Sequence, residues 1–254
     1  MGLGSLATFV GFAAIAAYVQ TLTGFAFGLV MMGAVALVGL LPLPDAAAMV
    51  GMLTLVNATQ MLAQGGWREV ARRELGLILV ASLPSLLVGY ALLEWLADTR
   101  ADLLKISLGM VIMLSSLQLA IRPAGLAKRS SDASFVGFGI ISGVMSGLFA
   151  TGGPPLVYHL FRQPLSHARI RETLVAAFGT AQAVRLIVVV ASGNLPSMSP
   201  VALILAVPAV MLMTYAARRW PPSLSQRTMR KIVFVLLFLS GLSLALPAAL
   251  HLAA

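Results

Sequence analysis

Three features of this sequence stand where apolar residues would be expected, and each is suited to holding an anion. Arg185 lies inside the run Ala176 to Val190, where an arginine costs roughly 2.5 to 3.5 kcal/mol on insertion scales unless it faces water, a partner or an anion. Its fork of donors fits a planar or tetrahedral oxyanion better than an ammonium would. Glu172 stands 13 residues earlier, about 20 Å along a helix, so the two cannot pair within one straight helix. The second feature is Ala150-Thr151-Gly152-Gly153-Pro154-Pro155, and the third is an earlier counterpart, Thr23-Gly24-Phe25-Ala26-Phe27-Gly28. Glycine exposes backbone and proline cannot donate to a helical ladder, so such stretches break a helix and free polar groups. A half-helix starting after Thr151-Gly152-Gly153 would aim its free N–H groups and positive dipole end into the break. Pro154 and Pro155 fit its first turn.

Around these features lie weaker candidates. Asn57, Gln60 and Gln182 are polar within apolar runs and could bind an oxyanion oxygen, but hydrogen bonding between helices explains them equally well. The candidate substrate contacts are therefore Arg185, Thr151, Gly152, Gly153, Gln182, Thr23, Gly24, Phe25, Asn57 and Gln60. His159, a few residues past the second break, is the candidate carrier of a coupling proton, against the plainer reading of a structural histidine. Asp45 and Glu172 sit near proline loops, where a helix cap or a surface ion pair is expected. Gly139, Gly143 and Gly147 form a small-xxx-small stripe that predicts close helix packing.

The elements that position these residues must be membrane helices. Of 254 residues, 59% are hydrophobic and only 10% charged, with a mean hydropathy of +0.97, too apolar for a soluble domain of this length. The runs are long and continuous, which favours helices over the alternating strands of a barrel. The net charge of +9 sits in short clusters between runs, which reads as topology signals and excludes a nucleic-acid surface. The chain has no cysteine, which excludes disulfides, zinc-thiolate sites and cysteine nucleophiles. No metal or other cofactor is called for, and there is no nucleotide-binding loop. No Lys or Arg precedes the first apolar run, which reads as a retained membrane segment and not a cleaved signal.

Apolar segments fall at about 3 to 22, 24 to 41, 44 to 64, 75 to 96 and 101 to 121, and again at 135 to 150, 152 to 161, 166 to 192, 198 to 217 and 229 to 250. Residues 1–121 and 135–254 thus form two transmembrane repeats joined by a cytoplasmic linker, 122–134. Basic clusters at Arg68 to Arg73, Arg122 to Arg129, Arg162 to Arg171 and Arg218 to Lys231 mark the inner side, while the turn from Ser192 to Ser199 and both termini face outward. The first repeat then begins outside and the second inside. The expected fold is an all-α polytopic membrane protein of two inverted-topology repeats, about five helical elements each, every repeat opening with a broken or re-entrant helix.

The Gly-rich break, the proline loop, the polar helix after it and their recurrence resemble the TauE/SafE family of membrane permeases, described as sulfite and organosulfonate exporters. The resemblance covers nearly the whole chain. It is strongest from Gly147 to Gly193, whereas around Thr23 to Gln60 the family's adjacent glycines are reduced to Gly24 and Gly28. It implies a secondary transporter in a bacterial inner membrane that moves a small sulfur-containing anion such as sulfite or an organosulfonate by alternating access. The partners are that anion and the lipid bilayer, with no nucleic acid; a homodimer is compatible with such a bundle. A passive anion channel is the alternative. An intramembrane hydrolase is disfavoured: Ser142-Gly143 and Ser146-Gly147 with His159 as base lack the rhomboid spacing of glycine and serine. The residues predict an asymmetric pocket, with the anion's charge at Gly152-Gly153 and any carbon portion toward Phe25 and Phe27.

Overall fold

The computed structural model describes residues 2–120, 125–193, 200–220 and 226–253. Within them the apolar runs fold into α1 (Leu3–Thr23), α2 (Phe27–Val38), α3 (Leu43–Ala63), α4 (Arg72–Thr99), α5 (Ala101–Ala120), α6 (Asp132–Phe149), α7 (Gly153–Phe161), α8 (His167–Ala191), α9 (Pro200–Arg219) and α10 (Gln226–Ala253), with a short 3-10 turn at Gly66–Glu69. The described residues contain no strand. Each apolar segment of the sequence is one helix. Arg122 and Pro123 of the linker and residues 194–199, expected from the sequence to form an outward turn, lie outside the described residues, as do the side chains of Arg227, Arg230 and Lys231.

Six helices are long and apolar enough to span a bilayer: α1, α3, α4, α6, α8 and α9. By contrast α2 has 12 residues and α7 has 9, roughly 18 and 14 Å at 1.5 Å per residue, short of the roughly 30 Å of hydrocarbon. The outer surface is apolar, with Val80 76%, Ile187 67% and Leu212 65% exposed. The interior instead holds Gln20, Asn57, Gln182 and Arg185. That inside-out distribution fits lipid as solvent and makes the protein an integral, multi-pass membrane protein.

Small residues set the closest packing. On α6, a Cβ at Gly143 would strike Ser82 O and Ser85 Oγ of α4, and one at Gly147 would strike Leu86 O; Gly89 of α4 faces Val144 O in return. No side chain larger than hydrogen allows these backbones to approach so closely. Beyond the α4–α6 contact, α1 packs on α9, α5 on α10 and α3 on α8, with lesser contacts of α4 with α8, α3 with α9, α2 with α10 and α5 with α7.

Both short helices follow an abrupt change of backbone direction. α1 ends on Gly24 at φ 85°, and Ala26, which precedes α2, sits at φ 78°. α6 ends on Ala150 at φ 54°. An alanine in the left-handed region costs about 1 to 2 kcal/mol, so each break is held in place by its surroundings.

Candidate functional site

At the second break, the helix preceding it and α8 hold the chain open. Ser142 Oγ donates to Gly152 O at 2.8 Å, and Gln182 Nε2 donates to Ala150 O at 3.1 Å. Gly152 lies against Ser142 and Ser146, where a Cβ would collide with both hydroxyls. The carbonyls at the end of α6 have lost their helical partners. Arg185 takes one of them, Nε donating to Gly147 O at 3.2 Å.

Arg185 is 2% exposed and is among the largest fully enclosed side chains. Its guanidinium carbon lies 5.6 Å from the centroid of the Tyr90 ring, and Tyr90 in turn pairs with Ser192 at 3.1 Å. Among the described residues no carboxylate forms an ion pair with Arg185, and Nε is its only donor with a hydrogen bond. The negative end of α6 and the π face of Tyr90 offset part of the charge. The rest of the fork lies beside Gly51 of α3 and Gln182 Oε1.

The first break meets the second. A Cβ at Gly28 would stand 2.8 Å from Thr151 Cβ and 2.9 Å from Ala150 O, so glycine alone lets the start of α2 lie on the second break. A Cβ on Gly153 would be 3.8 Å from Leu29 and 4.0 Å from the Phe25 ring. Arg185, Gln182, Thr151, Gly152, Gly153 and Phe25 thus belong to one neighbourhood. Pro154 and Pro155 fit the first turn of α7 but remove two N–H donors from it. They line an apolar groove of about 460 Å³ between α5, α6 and α7, to which Tyr158 and Met145 also contribute.

The remaining candidates face elsewhere. Thr23 Oγ1 donates to Val19 O at 2.8 Å, and Gly24 N donates to Gln20 O at 2.6 Å while its Cα side presses on the Arg171 backbone of α8. Asn57 Nδ2 donates to Thr21 Oγ1 at 3.1 Å and Thr214 Oγ1 at 2.6 Å, tying α3 to α1 and α9. Gln60 Nε2 donates to Met211 O at 3.0 Å. His159 is buried, stacked on Phe138 at 4.4 Å and edge-on to Phe135 at 4.6 Å, and its Nε2 bonds neither Ser142 nor Ser146. The nucleophile and base of a hydrolase are therefore not assembled.

Two features escaped the sequence. Glu172 is not a surface pair: it is 1% exposed, and its Oε1 accepts from Arg171 Nη2 at 2.8 Å and from Arg218 Nη2 at 3.1 Å. Arg218 also donates to Gln64 O, which locks α3, α8 and α9 together near the basic end of the bundle. No local pattern announces a partner 46 residues away. The other feature is Gln20, whose Oε1 accepts the N–H of Phe27 at 3.1 Å and so caps α2. A glutamine seven residues before a helix start matches no capping box.

A polytopic bundle of apolar helices enclosing an arginine has the architecture of an integral membrane protein, and its relatives make it a transport protein. The chain belongs to the sulfite exporter TauE/SafE family, whose model matches residues 9–244. It is similar, at 38% identity over 235 residues, to the probable sulfite/organosulfonate exporter TauE of Cupriavidus necator, the match covering 91% of this chain and 90% of that protein. No solved structure matches it. A family of exporters makes this a membrane transport protein and not an enzyme.

Proposed function

We propose that the protein is a secondary exporter of a small sulfur-containing anion, sulfite or an organosulfonate, which binds at Arg185 and the second break. The observation that carries this reading is the enclosed guanidinium with one backbone hydrogen bond and, among the described carboxylates, only the more distant charge of Glu94 to offset it. Such a charge at membrane depth is expensive unless an anion shares its site. Thr151, Gly152, Gly153 and Gln182 surround the anion's charged end, and Phe25 walls the side toward the first break. Thr23, Gly24, Asn57 and Gln60 support the site from one layer further out. The substrate class rests on the similarity to the curated exporter.

The packing of the halves supports alternating access as the mechanism. Exchanging residues 1–121 with 135–254 turns the α4–α6 contact into α9–α1, α4–α8 into α9–α3 and α2–α10 into α7–α5, while α3–α8 and α5–α10 map onto themselves. All of these contacts are present, a pattern expected of two repeats related by a two-fold axis. With the basic clusters inside, that axis lies in the membrane plane, the linker 122–134 is cytoplasmic and both termini are outside. His159 is the titratable group of the half-helix after the second break, and in this reading it carries the coupling proton.

The test is purified protein in liposomes loaded with sulfite. Saturable uptake of label by counterflow is expected of a carrier; flux that never saturates and shows no counterflow means a channel instead. Flux indifferent to an imposed pH gradient removes the proton from His159. Because the chain has no cysteine, single cysteines at Ser5 and Lys128 map topology directly: Ser5→Cys should react from outside and Lys128→Cys only from inside, and the reverse labelling contradicts the inverted arrangement.

A further inference from the structure

We infer that Gln20 is a substrate-binding residue, its Nε2 donating a hydrogen bond to an oxygen of the bound anion at the first break; this rests on the anion-transport reading above. Gln20 is 2% exposed in α1. Its amide orientation is set by the N–H of Phe27, which donates both to Phe25 O at 3.0 Å and to Oε1 at 3.1 Å; turned over, the amide would set donor against donor. That leaves Nε2 enclosed with no hydrogen-bond partner. A buried amide donor without an acceptor is unfavourable, and capping alone needs only an acceptor.

The place makes the unused donor meaningful. The residue Gln20 caps is Phe27, next to Gly28, which lies on Ala150 and Thr151 where the two breaks meet. The 12-residue α2 points its positive end there, with Val30 N the first to find its helical carbonyl, Ala26 O. The groups the sequence nominated at this break are already used: Thr23 donates to Val19 O and Gly24 to Gln20 O. Gln20 is therefore the side-chain donor that the first break offers beside the backbone N–H groups at the start of α2, a neutral complement to Arg185 at the second. Together they select an oxyanion with several oxygens over a halide, which presents one atom.

The experiment uses the full chain in detergent, measuring sulfite, sulfonate and chloride binding by calorimetry beside thermal unfolding. Gln20→Glu keeps the acceptor for Phe27 but replaces the donor with a carboxylate that costs stability when buried and repels an anion, so the folded protein should lose sulfite affinity by well over tenfold. Gln20→Met, neutral but without either function, should lose about tenfold. If either variant folds and binds sulfite as tightly as the wild type, the inference is overturned. Full affinity in Gln20→Glu beside a lower melting temperature in Gln20→Met would make Gln20 a cap only. Wild-type protein that binds no oxyanion would instead refute the transport reading and Gln20's part with it.

Discussion

The two breaks open helices in similar settings but are held in different ways. The first has a side-chain tie within its own hairpin, Gln20 of α1 capping α2 through Phe27, while Gly24 packs on the Arg171 backbone of α8. The second has a local tie, Ser142 of α6 on Gly152 O, and two more from α8 across the bundle, Gln182 on Ala150 O and Arg185 on Gly147 O. The side-chain hydrogen bond that shapes the first break therefore comes from its own hairpin, whereas the second takes two of its three from α8. The proposed anion site is therefore asymmetric, with Arg185 on one side and Gln20 and Phe25 on the other.

The largest effect expected from breaking this contrast is at the α4–α6 contact. Gly143→Val would drive a side chain into Ser82 and Ser85. Overpacking of this kind costs about 1 to 3 kcal/mol, seen as a fall in melting temperature together with loss of transport. Gly137→Val, on the same helix but with nothing within 4 Å, should change the melting temperature far less. Equal effects would mean that the stripe does not set the packing.

Next is Gln182→Met, which leaves Ala150 O without its donor. At about 1 to 2 kcal/mol, sulfite affinity should fall roughly tenfold, with only a small change in thermal unfolding. A stability loss with affinity unchanged would make Gln182 a helix tie like Asn57. Asn57→Leu is the converse probe: it cuts the link between Thr21 and Thr214, so stability should fall by about 0.6 to 1.7 kcal/mol while affinity stays the same. Smallest is Ser142→Ala, which removes one hydrogen bond to Gly152 O, about 1 kcal/mol, and should slow transport a few-fold. No effect there would show that the break holds its shape without α6.

Much of this was legible in the sequence for a physical reason. Apolar runs must match the bilayer, so the ten segments and ten helices agree, and Gly139, Gly143 and Gly147 lie at a spacing that keeps them on one face. Arg185 and Gly152-Gly153 stood out because they are costly where they are. What stayed hidden is relational. Asn57 and Gln182 look alike along the chain, and only the packing directs one to Thr214 and the other to Ala150. Glu172 resembled an interfacial carboxylate until Arg218 of α9 closed over it. Gln20 was passed over because its partner Phe27 lies beyond a turn that the sequence does not draw.

The central claim is that the anion sits on Arg185. Its most direct test is equilibrium sulfite binding to the purified wild type, Arg185→Lys and Arg185→Ala, each confirmed folded by thermal unfolding. A charge-assisted hydrogen bond is worth about 1.5 to 3 kcal/mol, so Arg185→Ala should lose roughly ten- to 150-fold in affinity. Arg185→Lys, which keeps the charge but not the fork, should fall between it and the wild type. Wild-type affinity in a folded Arg185→Ala protein would contradict the account and leave Arg185 as a cap for the end of α6.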